Sequence, residues 1–288
     1  MLQVREFLLK LCLCPGLSPI SRWRLWKTAE KERSFNNISL LIERSGISIR
    51  AQNVLLNKWE SFELQEKVQL NMKQSYITIV DNEYPQQLSE IFCPPLVLFY
   101  RGDISLLNTQ CLAIVGARQM TSYGSATLKG LLPVVVKRGI TIVSGLAAGV
   151  DGLSHQITLE RRGKTIGVVG CGLDQVYPRN HQALQEAVAQ KGLVISEYGL
   201  GEAPVAFHFP ERNRIIAGLA ETILVVEAKK RSGSLITAAI GLEENRNVCA
   251  IPGRIDAPLS LGCNQLIAEG AKPITEVKDL LEEFLLTN

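Results

Sequence analysis

The chain of 288 residues is 46% hydrophobic and 20% charged, with a mean hydropathy of +0.12, a composition that excludes an intrinsically disordered chain. Its 31 Lys and Arg against 28 Asp and Glu give a net charge of +3 and a pI near 8.4. So small a sum does not identify a nucleic-acid partner; a local concentration of cations is needed for that.

The chain opens on MLQVREFLLKLCLCPGL, where Arg5, Glu6 and Lys10 interrupt the apolar residues and no cleavage site follows, so no signal peptide is expected. No run reaches the roughly 20 apolar residues of a membrane helix, and a cytoplasmic protein without a membrane partner is expected. Residues 1–74 carry Leu, Trp, Lys, Arg, Glu and Gln at helical spacing, punctuated by Pro15-Gly16, Pro19 and Gly46. They predict a small helical domain of several short helices. The stretch ISLLIERSGISIR has a helix–turn–helix outline, which an ordinary helix hairpin shares.

Residues 75–110 change texture. YITIV (76–80) and LVLFY (96–100) read as strands and form a lead-in. Residues 111–288 then repeat a short apolar strand, a glycine turn and a helix. The strands are CLAIV (111–115), ITIVS (140–144), TIGVVG (165–170), LVISE (193–197), TILVVE (222–227) and VCAIP (248–252). Continuously apolar strands alternating with helices predict an α/β fold, Rossmann-like, with a mostly parallel sheet and helices on both faces. Right-handed crossovers place most strand-end loops at one carboxyl edge, where such folds bind ligands. ITEVKDLLEEFLL (274–286) reads as a final amphipathic helix.

Four of those loops are rich in small residues: Gly116-Ala117-Arg118, Ser144 to Asp151 with Gly145 and Gly149, Gly170 to Asp174, and Arg231-Ser232-Gly233-Ser234. Glycine lets the backbone approach an anion, and the following helix offers free N–H groups and the positive end of its dipole. Glycine after a strand also serves tight packing, so the weight lies in four such loops at one edge. Between them, Pro210 can open a helix that carries Arg212, Asn213 and Arg214, and Lys229, Lys230 and Arg231 precede a helix start at Ser232. Five cations within twenty residues suit a polyanion, and Phe207 and Phe209 can offer faces for base stacking, as can Tyr198, or can pack in the core.

Other chemistries lack their motifs. GxGxxG and the GxxxxGK[ST] phosphate loop are both absent. The seven cysteines contain no CxxC and sit in apolar runs, which reads as reduced, buried thiols. No His, Cys or Asp set has nucleophile or metal spacing, so no metal or cofactor is expected. Two alternatives remain open: a phosphoribohydrolase-like nucleotide-processing enzyme using Glu197, Glu227 or Asp151 as base, although its PGGxGTxxE loop is missing, and a dinucleotide-binding protein.

In order along the chain, GAR (116–118), SGLAAGVDGLSH (144–155), GCGLDQVYP (170–178), SEYGLGEAP (196–204), FPERNRIIAGL (209–219), KRSGSLITAA (230–239) and AIPG (250–253) resemble the DNA-processing protein A family (DprA, also called Smf). YPQQLSEIFCPPLVLFYRGD (84–103) resembles it too, whereas residues 1–74 match only in position and character. The resemblance implies a non-enzymatic protein that binds and protects incoming single-stranded DNA, forms a homodimer and loads the RecA recombinase during natural transformation. It carries the DNA contacts onto Arg118, Ser144, Gly145, Arg212 and Arg214, with Lys230, Ser232, Gly233 and Ser234 extending the surface. Self-association would fall on residues 261–274. Ala117 and His181 depart from the family pattern, which favours a hydroxyl residue and asparagine there. Many relatives also carry a winged-helix domain after the core, which is not expected here.

Overall fold

A computed structural model describes residues 2–284. Five helices come first: α1 (Leu2–Leu13), α2 (Pro19–Glu32), α3 (Ile38–Ser45), α4 (Ile49–Lys58) and α5 (Phe62–Asn71). Four of them start where a polar side chain can satisfy a spare N–H of the first turn. Ser18, Asn37, Ser48 and Ser61 accept from the backbone of Ser21, Leu40, Ala51 and Leu64. Gly46, at φ +62°, ends α3 and turns the chain toward α4, so ISLLIERSGISIR is a tight helix pair. The buried Phe7, Leu8, Leu25, Trp26, Leu41 and Leu55 of these helices share one core with Val97, Phe99, Leu146 and Val194 of the following segment. Each fully buried leucine there contributes about 1.5–3 kcal/mol.

That segment supplies a single nine-stranded sheet. Its strands are β1 (Tyr76–Thr78), β2 (Val97–Gly102), β3 (Cys111–Val115), β4 (Thr141–Ser144), β5 (Thr165–Val169), β6 (Leu193–Ser196), β7 (Thr222–Val225), β8 (Asn247–Ala250) and β9 (Lys272–Pro273). They lie in the order β1-β2-β6-β5-β4-β3-β7-β8-β9. All pairings from β6 to β9 are parallel, and β1 and β2 join antiparallel, β2 lying against β6 with Phe99 opposite Ser196. Residues 75–110 thus build one edge of the sheet itself.

Helices α6 (Gln86–Ser89), α7 (Ser122–Lys137), α8 (Val150–Glu160), α9 (Gln182–Lys191), α10 (His208–Leu219), α11 (Gly233–Glu243), α12 (Leu261–Ala268) and α13 (Val277–Glu282) complete the fold. The period-two alternation of a strand divides β3 between its faces. Leu112 and Ile114 pack with Leu128 of α7, Ile157 of α8 and Leu280 of α13. Ala113 and Val115 pack with Ile215 of α10, Ala238 of α11 and Cys263 of α12. α13 is shorter than the 274–286 expected from the pattern, because Glu276 and Asp279 form a reciprocal cap that starts it at Val277. Residues 285 and 286 lie outside the described residues. All seven cysteines are buried and unpaired, and no described helix is long and apolar enough to cross a membrane.

One buried side chain predicts an acid-sensitive fold. His155, on α8, is fully buried, and its Nδ1 lies 2.7 Å from Thr165 Oγ1. Thr165 donates its own proton to the Ile142 carbonyl at 2.8 Å, so it accepts from His155 Nδ1–H. Nε2 is then a lone pair with no partner. Burial, reinforced by His181 and Arg212, lowers the His155 pKa to about 3. The unfolded chain takes up this proton near pH 6.5 and the native one does not. Stability should therefore fall as pH drops from 6.5 toward 3, by up to about 1.4 kcal/mol per pH unit. Denaturant melts at pH 7, 5.5 and 4 check this, and His155→Gln should flatten the dependence.

Candidate nucleic-acid interface

The chain leaves β3, winds through β4, β5 and β6 on one side, and returns to β7 on the other side of β3. The connections that leave the carboxyl ends of β3 and β7 run to opposite sides of this pair, toward β4 and β8, and this is the place where open α/β sheets bind ligands. An open groove of about 1500 Å³ lies there, larger than the roughly 300–1,000 Å³ of small-molecule pockets. Gly116 to Gln119 follow β3 on its floor, Lys229 to Ser234 form one wall, and Gly253 to Ser260 form the rim.

The second wall is one face of α10. Phe209, Arg212, Asn213 and Ile216 line the groove, at the three-, four- and seven-residue spacing of a helix face. Phe209 is half-buried against Tyr177, their ring centroids 5.2 Å apart. The exposed Arg118 stacks its guanidinium over Phe209 at 5.4 Å, a cation–π contact that holds the charge beside an aromatic platform. Tyr177 is 41% exposed. A second ring, Tyr123, is 47% exposed in the groove and donates its hydroxyl to the Pro252 carbonyl at 2.6 Å.

Lys229, Lys230 and Arg231 are exposed and, like Arg118, make no salt bridge among the described residues. Ser232 precedes α11 without capping it; its hydroxyl meets Ser234 Oγ at 2.8 Å instead. The first N–H groups of α11, from Gly233 and Ser234, are left without that side-chain partner beside the groove. Asn213 Nδ2 approaches the Gly233 carbonyl at 3.5 Å and ties α10 to α11.

Gly116, Arg118, Phe209, Arg212, Asn213, Lys230, Ser232, Gly233 and Ser234 thus converge on the groove, and four other expected contact residues do not. Ser144 is fully buried and donates to the Ile114 carbonyl at 2.6 Å. Gly145 is bare because Arg212 occupies the space beside it: a Cβ there would lie 1.7 Å from Arg212 Nη1. Gly149, at φ +76°, lets α8 begin against the first loop, where a Cβ would come within 2.2 Å of the Ala117 carbonyl oxygen. These three shape the floor.

Arg214 corrects the sequence reading more sharply. It is 9% exposed, turned away from the groove, and donates through Nη2 to Glu197 Oε2 at 2.5 Å. On a helix, residues two apart point about 200° away from each other, so Arg212 and Arg214 cannot serve one groove. Burial pulls the Arg214 pKa down, but Glu197 and Tyr84 outweigh it and hold the group above its ordinary value. Arg212 is 4% exposed, reaches the Val168 carbonyl at 2.7 Å and has an unpartnered Nε. Burial lowers its pKa, against the attraction of Asp151. It supports the floor as a buried charge.

Tyr198 is no stacking platform either: 7% exposed, it stacks on His208 at 3.8 Å and donates to Glu211 Oε2 at 2.9 Å. Phe207, 63% exposed, lines a separate cleft of about 450 Å³ against the N-terminal helices. His181 Nδ1 lies 2.9 Å from the Leu146 carbonyl, steadying the turn after β4, and the buried His208 is 3.0 Å from the Gly170 carbonyl. The carboxylates have internal partners. Glu197 holds Arg214, Glu227 accepts from Thr121 N at 2.8 Å and from its hydroxyl, and Asp151 accepts from Gly145 N at 3.2 Å. Burial raises the Asp151 pKa despite Arg212. Tyr177 and Tyr123 had no assigned role in the sequence reading, since nothing in a lone tyrosine marks which strand end its ring will flank.

Residues 75–285 match the family model for the DNA recombination-mediator protein A. The chain is 48% identical over 207 residues to the DNA processing protein DprA of Streptococcus pneumoniae, covering 72% of this chain and 73% of the relative. It is 38% identical over 249 residues to the protein Smf of Escherichia coli, covering 85% and 66%. The crystal structure of S. pneumoniae DprA matches with a TM-score of 0.88 at 38% identity over 96% of this chain and 97% of that one. A structure of DNA processing protein A from Helicobacter pylori, described for its unique single-stranded DNA binding mode, matches with a TM-score of 0.66 at 30% identity, covering 75% and 98%.

Proposed function

This chain belongs to the DNA recombination-mediator protein A family, and on that premise we propose that it binds single-stranded DNA in the groove between β3 and β7 without itself catalysing a reaction. The observation that carries the reading is the joint placement of Arg118, Lys229, Lys230 and Arg231 with the Tyr177–Phe209 pair in one open groove. Cations hold phosphates and exposed rings take unstacked bases, so binding is tolerant of sequence. Delivery of RecA onto the bound strand, and a homodimer formed through residues 261–274, complete the proposal as a cytoplasmic mediator of natural transformation. The internal partners of Asp151 and Glu227 favour it over a nucleotide-processing enzyme.

Fluorescence anisotropy with a short oligo-dT across a salt series tests it. Each phosphate neutralised on a single strand contributes about −0.7 to the slope of log K against log salt. Four cations predict a slope of roughly −3 for a strand that fills the groove. A slope near zero, or release of free base from nucleoside monophosphates, would overturn the proposal.

A further inference from the structure

The opposite edge of the sheet carries a second concentration of positive charge. The end of α7 and its turn into β4 hold Lys137 and Arg138, the turn from α8 into β5 holds Arg161, Arg162 and Lys164, and the end of α9 before β6 holds Lys191. All six are exposed, and none makes a salt bridge among the described residues.

These turns are neighbours in space. β4, β5 and β6 are adjacent and parallel, with Ile142 opposite Thr165 and Ile166 opposite Leu193. Ile142 N donates to the Lys164 carbonyl at 3.0 Å. Gly163 is packed so closely on α7 that a Cβ would lie 2.4 Å from Val136 Cγ1, and one on Gly192 would lie 2.3 Å from the Thr165 carbonyl oxygen. Among the described residues, the unpaired carboxylates beside these three turns are Glu160 and Asp103, the latter opposite Lys164; Glu186 is held by Arg101, and Glu221 lies farther along the sheet, beyond β3 at the start of β7. Six cations against two carboxylates leave four net positive charges, more than the +3 of the whole chain. Helix C-termini favour cations individually, which accounts for Lys137 and Lys191. It does not account for Arg162 and Lys164, which lie beyond α8 and crowd like charges together.

We propose that this edge is a second nucleic-acid surface, separate from the groove, that holds the phosphate backbone alone. It rests on the DNA-binding reading of the groove only in the choice of polyanion. From Gly124 to Val176 the chain contains no Phe, Tyr or Trp, so the edge has no stacking platform. It contacts phosphates and reads no base, so it takes a 20-base-pair duplex, whereas a six-nucleotide strand supplies too few phosphates to hold there. The groove, by contrast, needs unstacked bases for its rings. The strands between are four or five residues long, or about 15 Å at 3.3 Å per residue, so a duplex can lie along the edge without entering the groove.

The test compares three variants of the full chain with wild type by anisotropy at low salt, with a six-nucleotide oligo-dT and a 20-base-pair duplex as probes. Substituting Lys137, Arg138, Arg161, Arg162 and Lys164 with Gln should weaken duplex binding at least tenfold and leave oligo-dT binding within twofold. Substituting the same five with the other cation (Lys137→Arg, Arg138→Lys, Arg161→Lys, Arg162→Lys, Lys164→Arg) should keep duplex binding, since a phosphate backbone requires only the charge. Arg118→Ala should do the reverse, weakening oligo-dT and sparing the duplex. A wild-type protein that ignores the duplex, as an edge built for an acidic protein would, overturns the proposal. So does a glutamine variant that binds duplex normally or loses both probes alike. Failure of the groove reading looks different: wild type would bind duplex but not oligo-dT.

Discussion

Arg214→Ala is expected to lower the unfolding free energy by about 3–5 kcal/mol, because it leaves Glu197 as an unpaired buried carboxylate. Glu197 is 4% exposed and has Arg214 as its salt-bridge partner, so no water replaces the lost guanidinium cheaply. For a chain of this size the melting temperature should fall on the order of 10 °C. The fraction that remains folded should bind oligo-dT with unchanged affinity, since Arg214 does not line the groove. Arg214→Met combined with Glu197→Leu should recover much of the stability, because removing both charges removes the desolvation cost with them. A variant that melts like wild type yet no longer binds DNA would return Arg214 to the interface.

Phe209→Ala is expected to have the opposite profile. The ring is half-buried at the groove wall, packed on Tyr177 and covered by Arg118. Its loss removes a stacking face worth about 1–3 kcal/mol per base and releases Arg118 from its cation–π contact. Single-strand affinity should drop roughly tenfold to a hundredfold at fixed salt, with a change in melting temperature of a few degrees at most. Phe209→Leu keeps the volume and removes the π-face, so it should bind as poorly as alanine. Phe209→Trp should bind at least as well as wild type. Equal affinity for all three variants would show that bases do not rest there.

Much of this was legible in the residues because apolar strands and glycine turns are local signals. CLAIV matches β3 residue for residue, and the other five expected strands differ by one to three residues at their ends: Ile140, Gly170, Glu197, Val226, Glu227, Ile251 and Pro252 lie outside the strands, and Asn247 joins β8. β9 was not legible: two residues, one of them a proline, carry no strand pattern. Among site residues, Arg118 and Lys230 follow directly from their strand ends. The burial of Arg214 was legible only after α10 was treated as a helix and not as a string of cations. The roles of Gly145 and Ser144 depend on which side chain fills the space beside them. In the fold that is Arg212 and the Ile114 carbonyl, partners 67 and 30 residues away along the chain.

Photo-cross-linking of a bromouracil-substituted oligo-dT, read residue by residue by mass spectrometry, locates the bound strand most directly. Adducts should form on Tyr177 and Phe209, with Tyr123 next, and should disappear when unlabelled oligo-dT is added in excess. Adducts confined to Phe62, Phe92 or Phe207, exposed rings that lie outside the groove, would contradict the assignment of the single strand to the junction of β3 and β7.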